Sequence, residues 1–384
     1  MRALRIAILA HSANPRGGVV HALELAEALV RLGHEPVVHA PDARHAGFFR
    51  PTVAATVCVP ASPVASDMTA MVETRAGDYV RHFGDPAHRR FDVFHAQDGI
   101  SGNALATLKE RGLIRRFART VHHIDSFADP RLAALQTRSI LAADRHLVVS
   151  RLWRETLAQR FGLEAVVVGN GVDLDRFRPD TDGREAALGA TLHPGPGPVI
   201  LAVGGVEPRK NTVRILEAFA QLRAVRPEAV LVIAGGVSLL DHGAYRQRFA
   251  EALAGSGLPP AAVVEAGAIA DADMPALYRL ADVLAFPSLN EGFGLVALEA
   301  MASGVPVVVP RTAPFTEHFT DDEPVWCDPA SAGSIANALL SALRDPLRGH
   351  VVARGLAAAR RFDWAAVAHA HLPVYASLRE PAYA

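Results

Sequence analysis

Short apolar runs and stretches of helical periodicity alternate along the whole chain. Residues 4–10 are apolar apart from Arg5 and lead into the polar loop HSANPRGG. Beyond it Val19, Leu23, Ala26, Leu29 and Val30 recur at helical spacing, with His21, Glu24, Glu27 and Arg31 mostly on the opposite side. Gly33 ends that helix and 36–40 reads as the next strand, so the chain opens strand, helix, strand. Further strands are expected at 56–60, 93–96, 117–121, 146–149 and 165–168, with helices between them. Residues 179–198, PDTDGREAALGATLHPGPGP, are rich in Gly, Pro and polar residues and read as a linker. A second alternation follows, with strands at 199–203, 230–234, 263–265, 283–286 and 306–309 and helices at 212–225, 245–254, 274–280 and 293–302. Helices alone are expected at 331–343, 347–361 and 364–378.

This order predicts the α/β class, with two parallel-sheet domains at 1–180 and 198–363. A length of 384 residues fits two domains, and 50% hydrophobic residues supply both cores, which excludes a disordered chain. In such sheets ligands bind beyond the carboxyl ends of the strands, so the two domains are expected to bound a cleft and the strand-to-helix loops to carry the chemistry.

Charge narrows the partners. With 39 basic and 40 acidic residues the chain lacks the field of a general nucleic-acid binder, and no nucleic-acid partner is expected. Cys58 and Cys327 are too few for a disulfide framework and fit a reducing compartment, so a cytoplasmic location is expected. No apolar stretch is long enough to cross a bilayer, and the first run reads as a core strand rather than a leader. Leu105, Leu108, Leu113, Ile114 and Phe117 interleave with Lys109, Arg111, Arg115, Arg116 and Arg119, a pattern open to peripheral membrane contact. Gly112 breaks that helix and favours an ordinary solvated face. Lys109 and Lys210 are the only lysines in a chain whose other basic residues are Arg.

Four loops stand out. Asn14-Pro15-Arg16-Gly17-Gly18 lies between the first strand and helix, where glycines let backbone amides approach an anion or simply permit a tight turn. It is not the GxGxxG of a dinucleotide site. Gly204 to Asn211 places Arg209 beside Lys210 at a helix start, where two cations oppose the helix dipole and call for an anion. In the third loop Glu291 precedes a helix and Glu299 lies nearly two turns inside it, on the side of Leu295 and Leu298, where a carboxylate needs a partner such as a ligand hydroxyl. Gly292 and Gly294 offer a second set of amides at that helix start. In the fourth, His122-His123-Ile124-Asp125, adjacent His side chains diverge and no HExxH or paired Cys accompanies them. No metal site is expected there, and a single imidazole bonding a ligand hydroxyl or packed in the core remains. Gln97-Asp98 and Asn170 to Asp173 also fall at strand ends, and 62–90 contains no legible motif.

From the Gly17-Gly18 loop through VGNGVDLDRFRP at 168–179, GGVEPRKNT at 204–212 and LADVLAFPSLNEGFGLVALEAMASGVPVV at 280–308, the chain resembles the family 4 glycosyltransferases of GT-B fold. The resemblance implies two Rossmann-like domains, a terminal helix at 364–384 crossing back to the first, and retaining transfer of a hexose from a nucleotide-diphosphate sugar. The acceptor would be a hydroxyl of a glycan, a lipid or a small molecule. It implies a catalytic group of His122, Arg209, Lys210 and Glu291, with Glu291 on the donor-sugar hydroxyls and Arg209 and Lys210 on the diphosphate. Donor binding would further involve Gly17, Gly18, Gly292, Phe293, Gly294 and Leu295, with Glu299 on the ribose and Ile269 near the base. No cofactor and no metal are implied. Gly205 stands where many members have an Arg, and Arg209 would take over its role. A nucleotide-sugar epimerase, a phosphorylase and a non-catalytic nucleotide-sugar-binding subunit are the competing readings.

Overall fold

The apolar run at the start of the chain becomes β1 (Arg5–Leu9), in which Ile6, Ala7, Ile8 and Leu9 are wholly buried. A strand covered on both faces must be apolar at every position rather than at alternate ones. The structure is a computed structural model describing residues 2–43, 46–64, 67–192, 195–236 and 242–379. The chain divides into two compact units, Met1–Gly171 with Asp363–Ala384, and Val172–Phe362.

In the first unit β1 is followed by α1 (Gly17–Arg31), β2 (Glu35–Asp42), β3 (Ala55–Pro60), α2 (Met68–His82), β4 (Val93–Ala96), α3 (Gly99–Glu110) and β5 (Ala118–Val121). Then come α4 (Pro130–Leu141), β6 (Arg145–Val148), α5 (Arg151–Phe161) and β7 (Ala165–Val167). The seven strands are parallel in the order β3-β2-β1-β4-β5-β6-β7, with Ile6 opposite both Pro36 and Val93. The order reverses between β1 and β4, and their carboxyl ends are the place where such a sheet binds ligands.

The second unit contains α6 (Arg184–Leu192), β8 (Val199–Val203), α7 (Thr212–Arg223), β9 (Val230–Ala234), α8 (Gly243–Gly255), β10 (Val263–Gly267), α9 (Met274–Arg279) and β11 (Val283–Ala285). It continues with α10 (Leu295–Ala302), β12 (Val307–Pro310), α11 (Phe315–His318), β13 (Val325–Cys327), α12 (Ala332–Ala342) and α13 (Leu347–Ala359). Its six strands are parallel in the order β10-β9-β8-β11-β12-β13, so the reversal falls between β8 and β11. Ile215, Phe219 and Leu222 of α7 and Ile335 and Leu339 of α12 close the core over this sheet. The chain then returns to the first unit as α14 (Trp364–Leu378), which packs on α1 and β5. Gly171 lies where this return passes: a Cβ there would stand 2.6 Å from the backbone nitrogen of Trp364.

The structure differs from the sequence reading at several points. The expected linker holds α6, which Asp182 and Glu185 tie to Arg279 of α9, and 172–180 belong to the second unit. The illegible stretch 62–90 holds α2, started by the Asp67 carboxylate accepting from Ala70 N–H at 2.7 Å. The short β13 has too few residues to show a period. His21 and Glu24, placed on the polar side of α1, are buried because α14 covers that side and Arg50 bonds Glu24 at 2.6 Å. Leu105, Leu108, Ile114 and Phe117 are core residues, which removes the apolar half of the suggested membrane face. Among the described residues no helix is long and apolar enough to cross a membrane.

Candidate functional site

Two loops meet at the reversal point of the second sheet. One follows β8 and the other follows β11. The first begins with Gly204 at φ 123° and Gly205 at φ 76°, a left-handed course that side chains resist. Both amides donate to the Ala234 carbonyl, at 2.8 and 3.1 Å. The loop ends at Asn211, which has φ 61° although it is not glycine. Asn tolerates that region, and here its amide donates to the carbonyls of Pro287 at 3.2 Å and Pro329 at 2.8 Å. Leu289 N–H donates to the Arg209 carbonyl at 2.9 Å, so backbone and side chain together stitch the loops.

The stitched loops bring Arg209, Lys210 and Glu291 together. Glu291 Oε1 accepts from Arg209 Nη1 at 2.9 Å and from Lys210 Nζ at 2.8 Å. Glu291 and Lys210 are each 8% exposed. Burial alone would raise the Glu291 carboxyl, but Lys210 and Arg209 outweigh it and hold the group below its usual range. Burial in turn lowers the Lys210 ammonium, against the pull of Glu291. The Lys210 ammonium stands 4.4 Å from the centre of the Phe286 ring. Its stem lies on Gly204, where a Cβ would come within 2.5 Å of Lys210 Cε. Gly204→Ala is therefore expected to push Lys210 off its seat and to cost about 1–3 kcal/mol of stability, which urea unfolding of the variant against wild type checks.

Phe293 is buried against the His318 and Phe362 rings, and Gly294 turns the chain into α10 at φ 103° with Leu295 as the first helical residue. A Cβ on Gly294 would stand 2.7 Å from the Phe315 ring. Gly292 lies on the loop between Glu291 and Phe293. Glu299 finds a protein partner: the wholly buried Tyr278 donates its hydroxyl to Oε2 at 2.6 Å. Ile269 lies on the loop after β10, two strands from β8 in the sheet. The glycine at 205 suits the turn itself, and its carbonyl accepts from the Thr212 hydroxyl at 2.9 Å.

Gly17, Gly18 and His122 belong to the first unit. The Arg16 carbonyl accepts from Val19 and Val20 N–H, each at 2.8 Å, which starts α1 at the two glycines. A Cβ on Gly18 would stand 3.6 Å from the His122 ring. His122 Nε2 is 3.0 Å from Gln97 Oε1, whereas His123 turns away to Asp125 at 3.1 Å. Among the described residues no group of three or more potential ligands is arranged to hold a metal ion.

Sequence reasoning missed the surroundings of His122. His21, His95 and His371, all wholly buried, pack into one histidine cluster with it. His95 bonds Tyr375 Oη at 2.9 Å and Thr120 Oγ1 at 2.7 Å, and His21 bonds Asn170 Oδ1 at 2.5 Å. These residues lie far apart in the chain, and no local pattern joins them. Asn211, inside the 204–212 motif already singled out, and Tyr278, on α9, were also missed.

Comparison with known proteins agrees with this architecture. Residues 15–176 match the family described as Glycosyltransferase Family 4, and 184–356 match Glycosyl transferases group 1. The chain is 30% identical to the phosphatidyl-myo-inositol mannosyltransferase of Mycobacterium tuberculosis, covering 96% of this chain and 95% of that one. It is 31% identical to a D-inositol 3-phosphate glycosyltransferase of Xylanimonas cellulosilytica, covering 99% of each. The solved sucrose-phosphate synthase of Thermosynechococcus elongatus shares the fold, with a TM-score of 0.78 at 21% identity over 98% of this chain and 99% of that one. Matches that run through both units, over nearly the full length of the mannosyltransferase, leave one assignment: the chain is a glycosyltransferase, and it belongs to family 4.

Proposed function

We propose that the protein transfers a hexose from a nucleotide-diphosphate sugar to an acceptor hydroxyl, with retention at the anomeric carbon. The observation that carries this reading is the meeting of Arg209, Lys210 and Glu291 on the β8 and β11 loops. Breaking the bond between the anomeric carbon and the diphosphate builds negative charge on the leaving oxygen and positive charge on the ring. Two preorganised cations, with amides at the start of α10, stabilise that oxygen without reorganising. Glu291 reads hydroxyls of the departing sugar, Glu299 the ribose, and Ile269 lies toward the base. We assign His122 to a hydroxyl of the transferred hexose, with Gly17 and Gly18 supplying amides to the anion. The acceptor oxygen bonds to the anomeric carbon on the face the diphosphate leaves, and its proton passes to the leaving phosphate oxygen. No metal or cofactor enters, because the cations neutralise the diphosphate.

The relatives act, by name, on phosphatidyl-myo-inositol and D-inositol 3-phosphate, which makes inositol phosphates and phosphatidylinositol the first acceptors to try. Cys58 and Cys327, both free thiols, support the reading of a reducing, cytoplasmic setting.

A panel of nucleotide sugars tests the reading. Release of nucleoside diphosphate should rise at least tenfold when an accepted hydroxyl compound is added, and mass spectrometry should show a hexose added to it. Sugar interconversion without any acceptor requirement would instead mark an epimerase, and donor binding without turnover over the whole panel a non-catalytic subunit.

A further inference from the structure

Lys210 has few directions in which to bond. Its stem is seated on Gly204 and its ammonium stands against the Phe286 ring, while the residue as a whole is 8% exposed. Within that seat Lys210 Nζ donates to Glu291 Oε1 at 2.8 Å. Arg209 turns to the same oxygen at 2.9 Å, and its other terminal nitrogen lies 3.6 Å from Glu207 Oε2. Two cations and two carboxylates thus offset each other inside the site that should take the diphosphate. A phosphate oxygen that approaches both cations therefore meets Glu291 already bonded to them.

We propose that Glu291 is an internal counter-ion that competes with the nucleoside diphosphate for Lys210 and Arg209. Arrival of the donor frees the carboxylate for the sugar hydroxyls, and its return to the cations expels the diphosphate product. This rests on the donor reading above. The exchange makes and breaks only charge-assisted hydrogen bonds, and the buried ammonium keeps an anionic partner throughout, as a buried charge requires. The donor is held by the difference between two sets of such bonds rather than by one full set. Moderate affinity and quick release of product follow.

Calorimetric titration of the full chain with uridine, guanosine and adenosine diphosphates tests the idea on wild type, Glu291→Gln and Glu291→Asp. Gln keeps the size and removes the charge, and Asp shortens the reach to both cations. The diphosphate that wild type binds best should bind the Gln variant at least tenfold more tightly and the Asp variant to an intermediate degree, while the parent nucleoside gains nothing. Thermal melting reports whether the Gln variant is folded; if it is not, the Asp variant decides alone, tighter binding supporting the proposal. Equal or weaker binding to the folded variant overturns it, because Glu291 would then hold the cations in place for the phosphate. If wild type binds none of the three diphosphates, the donor reading fails and this proposal with it.

Discussion

Lys210→Ala should lower the turnover of sugar transfer by about 10² to 10³, the loss seen when a single preorganised donor to a developing oxyanion is removed. The effect belongs to the transition state, so turnover should fall more than donor affinity. Glu291 keeps Arg209 as a partner in this variant, and the protein should stay folded. Lys210→Arg should rescue little. The lysine stem fits against Gly204 and its ammonium against Phe286, and a longer, planar guanidinium cannot take that course. Steady-state kinetics on an accepted donor, with a thermal melt as control, measures both outcomes.

The second large effect is a loss of stability in acid. Burial lowers the His21 imidazole to about 4 and the His371 imidazole to about 3, from an ordinary 6.5. His95 and His122 are held well below the ordinary range by the same burial, with His371 and His21 adding to it at His95, His21 at His122, and Arg119 at both. The folded state therefore binds fewer protons than the unfolded chain below pH 6.5. Stability is complete above that pH and falls as pH drops toward 4. At pH 5 His21 and His371 should each remove about 2 kcal/mol. Urea unfolding at pH 7.5 and pH 5 measures the difference, and His371→Leu should flatten the slope by about one proton. The first element to loosen should be α14, since Trp364 and His371 meet His21, and His371 and Tyr375 meet His95.

The division into sheet strands and covering helices was legible because each element carries its own period. The apolar runs of β1, β8 and β9 are buried at nearly every position and leave no other reading. The Arg209–Lys210 and Glu291 loops could be singled out, since charge beside glycine at a helix start is a local signal. What joined them could not. Asn211 bonds carbonyls 76 and 118 residues away, and Glu299 is met by Tyr278 rather than by any residue of its own motif. The polar side assigned to α1 failed for a similar reason: α14, more than three hundred residues later, covers His21. Burial set by a distant segment leaves no mark on local periodicity.

The composition of the chain offers a direct view of the central claim. Lys109 and Lys210 are its only lysines, and Lys109 bonds Asp144 in the first unit. Protein labelled with ¹³C at the lysine Cε should thus give two separable signals. During titration with a nucleotide sugar that the enzyme uses, the Lys210 signal should shift in proportion to saturation while the Lys109 signal stays in place. A donor that is bound and turned over while the Lys210 signal does not move would contradict the assignment of the diphosphate to the β8 and β11 loops.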